Sequence, residues 1–287
     1  MASFEVPGWR IDPGDPRAPS QEVWDGLTPD QRQQVLDSLP SEVEPTEASP
    51  PEGDYHAEPV SHAREVLRGF FRRQRRRVYV GADLPVYYPG ERMFAPDVMA
   101  VLDVDDHPRD HWTVSTEGKG LDLAIEVHWR GRARKDLEER VVRYASLGIR
   151  EYFVFDLRRL LLHGHRLPAA EARSYERVLP QAGRFDSEVL GLGIAIEGIR
   201  LRFYVDNAPL PFADELVERL QDAMDGALQR AEAEAQRADA EASRAQAEAS
   251  RAQMEASRAQ TEASRAQQAE QRLAEALAEI ERLRRRE

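Results

Sequence analysis

The chain has no cysteine, only two lysines among its 40 basic residues, and no apolar run as long as a membrane span. The missing cysteine excludes disulfides and thiolate metal sites, and with them any support for an oxidising compartment. The missing apolar run excludes a transmembrane helix, which takes ~20 consecutive apolar residues. The opening residues MASFEVPGWR have neither a basic start nor an apolar stretch, so a secretory signal is not expected and a cytoplasmic location is. Neither a glycine-rich phosphate loop nor a Ser/His/Asp pattern is present. Lysine scarcity means that a catalytic cation would be one of Lys119, Lys135 or an arginine.

What is present is unevenly spread. The net charge of −12 divides into about −10 over residues 1–60, +3 over 61–211 and −5 over 212–287. Two acidic extensions flank a mildly basic centre, so the overall sign does not by itself exclude nucleic acid. Three domains are expected: an acidic, proline-rich leader (1–54), a core (55–211) and a heptad-repeat helix (212–287). Within the leader, TPDQRQQVLDSLP reads as a short helix capped by Thr28, with Pro29 in its first turn and Pro40 as its stop. It has few apolar residues and should lean on the core. EPTEASPPEGD reads as a flexible linker.

From Pro59 the pattern is globular. Apolar residues at 60, 63, 66, 67, 70 and 71 define a helix, with Ser61 as its expected cap. Strand candidates follow in RVYVGADLPVYYP, APDVMAVLDV and LDLAIEVHW. The helix ARKDLEERVVRYASLG comes next, ending at Gly148, and then the buried strand EYFVFDL. A strand after a helix in this way is half of a crossover, so part of the sheet should be parallel. LLLHGHRL and LRFYV are further strands. In the tail, arginine recurs every seven residues from Arg230 to Arg272, and Ala238, Ala242, Ala245, Ala249, Ala252, Ala256 and Ala259 form a 4-3-4-3 seam. Leu273, Leu277, Ile280 and Leu283 make a stickier end. Such heptads predict a long helix and self-association through a coiled coil, although an alanine seam buries little area. A lone helix held by Glu–Arg pairs is the alternative.

LDLAIEVHW raises a chemical question. Leu123, Ile125 and Val127 share one strand face and Ala124, Glu126 and His128 the other, so Glu126 is an acid expected in a buried position. An unpaired buried carboxylate is costly. Asp97, placed after Pro96 at the start of the preceding strand, is the candidate neighbour. Two carboxylates at matching strand ends can share a hard cation, which prefers a few carboxylates plus water.

Pro96-Asp97, Ile125-Glu126-Val127, Asp136, position 140, Tyr144, Gly148 and Glu151-Tyr152 together resemble the Uma-two family, assigned as restriction endonucleases within the PD-(D/E)xK nuclease superfamily. The resemblance covers roughly residues 55–205. It implies an α/β, restriction-endonuclease-like mixed sheet flanked by helices, here extended by the long C-terminal helix. It also implies Mg²⁺- or Mn²⁺-dependent hydrolysis of DNA, with Asp97 and Glu126 as metal ligands and position 140 as the catalytic cation. The family's lysine there is Arg140 in this chain, which keeps the charge but is planar and does not deprotonate. His128, two residues after the glutamate, and Lys135 are possible substitutes, and Glu65 on the first core helix is a possible accessory acid. The run FRRQRRR offers Arg72, Arg73, Arg75, Arg76 and Arg77 for phosphate contact.

Alternatives stay open. Asp97 could cap a turn and Glu126 could form a buried ion pair with Arg140, with no metal. The chain would then be a catalytically degenerate nuclease fold acting as an interaction or scaffold module. DDHPRDHW and HGH carry metal-ligand residue types but no zinc spacing, and surface loops explain them better. Asp122 should face solvent. No membrane partner is expected.

Overall fold

The computed structural model describes residues 5–41, 53–129 and 134–284, without the side chains of residues 134–137, 281, 283 and 284. Residues 44–52 of the linker and the side chains of Lys135, Asp136 and Leu283 therefore lie outside the described residues. The chain divides into two compact units, residues 1–216 and 217–287.

The first unit is built on a six-stranded mixed sheet. From one edge to the other its strands are Glu176–Val178, Leu161–Arg166, Glu151–Asp156, Leu123–His128, Val98–Leu102 and Val78–Gly81. The central pair, Leu123–His128 and Glu151–Asp156, is parallel and joined by the helix Arg134–Ser146; the other pairings are antiparallel. Gly148, at φ +76°, takes the left-handed conformation that ends this helix, and Ile149 N–H donates back to the Tyr144 carbonyl at 3.1 Å. Strand alternation divides the interior in two. Leu123, Ile125 and Val127 face a core with the helix Asp54–Arg73 and with the antiparallel sheet of Phe185–Ser187, Leu192–Glu197, Arg200–Val205 and Ala208–Pro209. Ala124, Tyr152 and Val154 face a second core closed by Tyr144.

The helix Asp54–Arg73 starts earlier than its apolar pattern suggested. Gly53 occupies the cap position and Ser61 lies inside the helix, exposed, so it caps nothing. The apolar face, with Val60, Ala63, Val66, Leu67 and Phe71 buried, is the one read from sequence. HGH is not a surface loop. It lies within the strand Leu161–Arg166, where Gly164 fits because a Cβ there would come 2.8 Å from a Phe153 ring carbon.

In the leader, Thr28 and Gln31 form a reciprocal capping box for the helix Pro29–Ser38. Trp24, Val35 and Leu39 bury themselves with Tyr87, whose hydroxyl donates to the Pro40 carbonyl at 2.8 Å. The helix Ala213–Arg284 begins in the first unit, where Arg202 forms ion pairs with both Glu215 and Glu197, and continues through the second. Among the described residues no helix is long and apolar enough to cross a membrane.

Candidate active site

Register brings the two acids together. Val98 pairs with Ile125 across antiparallel strands, so Asp97, one residue before, and Glu126, one residue after, come opposite each other. Asp97 is held from two sides: its Oδ2 accepts the Val127 N–H at 2.6 Å, and His56 Nε2 lies 3.2 Å from its Oδ1. Glu126 is buried, with 2 % of its side chain exposed. Its Oε1 accepts the Tyr144 hydroxyl at 2.7 Å and its Oε2 accepts Arg140 Nη1, one helical turn earlier on the crossover helix. Phe94 and Tyr152 pack on the Tyr144 ring, with centroids 5.1 and 4.9 Å away, and fix it there.

Electrostatics follow from this enclosure. Burial first, and repulsion from Asp97 second, push the Glu126 carboxyl up to about 8, against the pull of Arg140 and Tyr144. Burial works against the Arg140 charge, but Glu126 outweighs it and holds the guanidinium firmly protonated. Burial, and then the same guanidinium, push His128 down to about 4, leaving it neutral near pH 7. Among the described residues, His128 Nε2 and the Tyr152 hydroxyl are buried and meet no hydrogen-bond partner.

The other sequence candidates lie as follows. Glu65 is exposed on the first core helix, and the residue that helix sends to Asp97 is instead His56. No sequence signal marked His56, because the helix start at Gly53 was not legible. Arg72 pairs with Asp106 at 2.8 Å and Arg77 with Asp105 at 2.9 Å. Arg76 reaches the Leu190 carbonyl and stacks over Phe71, while Arg73 and Arg75 are exposed. Asp122 does not face solvent. It is buried, accepts the Leu102 N–H at 2.8 Å and meets Lys119 at 3.0 Å, because it extends a central strand, with its backbone bonded to Ala100 and Glu151 of the two neighbouring strands. Glu151 is a second buried acid. It is neutralised by Arg166 at 2.7 Å and by Ser187 and the backbone of residues 188 and 189, which makes it a structural clamp between the sheets.

A hard divalent cation suits the facing acids on chemical grounds. Burial first, and repulsion from Asp97 second, raise Glu126, and an added positive charge would relieve both. Mg²⁺ is commonly held by one or two carboxylates with waters completing its shell. Among the described residues no group of three or more His, Asp or Glu is arranged to hold a metal.

A buried glutamate facing a partly buried aspartate at paired positions of a mixed sheet, closed over by a crossover helix, defines an α/β core of the restriction-endonuclease-like type. The family model described as "Putative restriction endonuclease", Uma2, matches residues 44–197, more than half of the chain, and the chain belongs to that family. Among solved structures, the chain is similar to an Anabaena variabilis protein described as "a putative nuclease belonging to DUF820". The two are 14 % identical with a TM-score of 0.43, over 58 % of this chain and 95 % of that one. Nothing among curated proteins matches the chain.

Proposed function

We propose that the chain is an endonuclease that hydrolyses DNA phosphodiesters with Mg²⁺ or Mn²⁺. The observation that carries this reading is the facing pair Asp97 and Glu126, opposite each other on adjacent strands, with Arg140 bonded to Glu126. Asp97 and Glu126 would hold the ion, which when bound lowers the pKa of a coordinated water and screens phosphate charge. The chain's own residues do the rest. Val127 N–H and His56 orient Asp97, and Tyr144 orients Glu126. Arg140, on the crossover helix beside Glu126, would be the cation that stabilises charge on the phosphate. Tyr55, about half exposed, stacks on Trp129 with ring centroids 4.3 Å apart, next in sequence to His56 and His128. Such a ring pair supports base stacking beside the site. Arg73 and Arg75 supply exposed positive charge.

One observation favours a second reading. All four oxygens of Asp97 and Glu126 already have protein partners, with Arg140 on Glu126, as expected of a degenerate nuclease fold serving as a scaffold. Two measurements separate the readings: cleavage of supercoiled plasmid and of single-stranded DNA with Mg²⁺ or Mn²⁺, and the melting temperature titrated with the same ions. The nuclease reading expects cleavage that Asp97→Asn abolishes, and an ion-dependent rise in melting temperature that Asp97→Asn removes. Neither effect in the wild-type protein would overturn it.

A further inference from the structure

The second unit carries an unpartnered face. Val217, Met224, Leu228, Leu273, Leu277 and Ile280 are each half or more exposed on the long helix. They fall in one heptad frame. Alternate steps of three and four residues lead from Val217 through alanines from Ala231 to Ala266 and on to Ile280, with only Gln221 and Glu270 interrupting. A frame kept over 64 residues is what a partner helix following the same repeat would require. The large residues lie at its two ends and the small ones between, so the stripe is self-complementary when two copies align end to end in the same direction.

The flanking positions decide the direction. On one side of the stripe stand Glu234, Glu241, Glu248, Glu255 and Glu262; on the other stand Gln246, Gln253, Gln260 and Gln267. In a parallel pair, opposite flanks meet, and each glutamate from Glu241 to Glu262 faces the glutamine five residues on in the second copy. Glu234 alone meets an acid, at position 239. In an antiparallel pair like flanks meet, and the glutamates line up against glutamates along the length of the helix. That row of like charges opposes the antiparallel arrangement. The arginines, at 244, 251, 258 and 265, stand three residues after a glutamate on the same helix, on its outer side away from the stripe.

We infer that the long helix forms a parallel, in-register, two-stranded coiled coil with a second copy of this chain. In a parallel pair the two chains therefore enter the coil at the same end, because the helix Ala213–Arg284 is continuous in each. On the nuclease reading, two active sites are thereby tethered together, an arrangement suited to cutting both strands of a duplex. That consequence rests on the nuclease reading; the coil does not.

The absence of cysteine makes the test clean, because a single introduced thiol is unique. Full-length A235C and A266C, each on the heptad stripe, are oxidised separately and as a mixture, and the mass of the unmodified chain is measured by light scattering at high concentration. The expected result is a mass of two copies, with each variant forming a disulfide to its own kind. In an antiparallel pair with Met224 and Leu228 opposite Leu277 and Leu273, residue 235 of one copy faces residue 266 of the other, and the two copies of residue 235 lie about 46 Å apart, far beyond disulfide reach. Cross-linking confined to the mixture would overturn the parallel direction. A monomer, or a mass of three or more copies, would overturn the two-stranded coil. Circular dichroism of each variant confirms that the helix is retained. Since no cleavage is read, failure here leaves the nuclease reading untouched.

Discussion

Replacing Arg140 by alanine removes the guanidinium from a carboxyl whose side chain is 2 % exposed. The cost depends on protonation. Glu126 sits near 8, so at pH 5 it is neutral, and the variant loses about one hydrogen bond, roughly 0.5–1.5 kcal/mol. Above 8 the wild-type group ionises beside Arg140, while in the variant it keeps its proton to higher pH. The gap therefore widens by about 1.4 kcal/mol over the next pH unit, reaching roughly 2–3 kcal/mol at pH 9. A unit of 216 residues melts about 2–4 °C lower per kcal/mol. The expected deficit in melting temperature is thus roughly 1–6 °C at pH 5 and roughly 4–12 °C at pH 9. Arg140→Lys keeps a charge and a donor, so its deficit should stay small and not widen. Thermal denaturation at the two pH values reads the electrostatics, and cleavage in Mn²⁺ reads the chemistry: Arg140→Lys should keep or increase cleavage and Arg140→Ala should lose it. A pH-independent deficit in Arg140→Ala would refute the coupling to Glu126. Full cleavage by Arg140→Ala would refute the role of Arg140 in charge stabilisation. Stability loss without cleavage by the wild-type protein or by Arg140→Lys would refute the enzyme.

Glu126 itself has a folded pKa raised above its unfolded value of 4.5, so its contribution to stability is fully present below about 4.5 and fades as pH rises toward about 8. Glu126→Gln should therefore gain on the wild-type protein between pH 5 and 8 in chemical denaturation; a constant difference would show that the carboxyl does not titrate in that window. Glu151→Ala strands Arg166 and two backbone N–H groups between the sheets and should cost about 3–5 kcal/mol, seen as a lower urea midpoint at pH 7. A loss under about 1 kcal/mol would mean that water replaces the carboxylate there.

The local signals that sequence carries well are those set by neighbours along the chain. Thr28 with Pro29 marks a helix start because a side-chain oxygen and a fixed φ satisfy the first turn wherever the helix later packs. Alternation in LDLAIEVHW put Glu126 on the face opposite Ile125 because strand geometry allows nothing else. The spacing of Leu137, Val141 and Tyr144 marked the inward face of their helix and made a contact of Arg140 with Glu126 legible, but not the hydrogen bond from Tyr144 to the same carboxylate. The heptads likewise identified the long helix, since a seven-residue period is a property of the chain alone. Pairing between distant segments was not legible in this way. Nothing near His56 indicates Asp97, 41 residues later, and the opening of that helix rests on Gly53, which offers no side-chain cap. Asp122 reads as a polar strand end, yet the neighbouring strand supplies an N–H from Leu102 and the loop supplies Lys119, and these partners make its burial favourable. The sequence by itself determined which residues could carry charge and on which face of their own element. Only the tertiary structure decided which charges meet, because a buried ion's energy depends on partners that the fold draws from elsewhere in the chain.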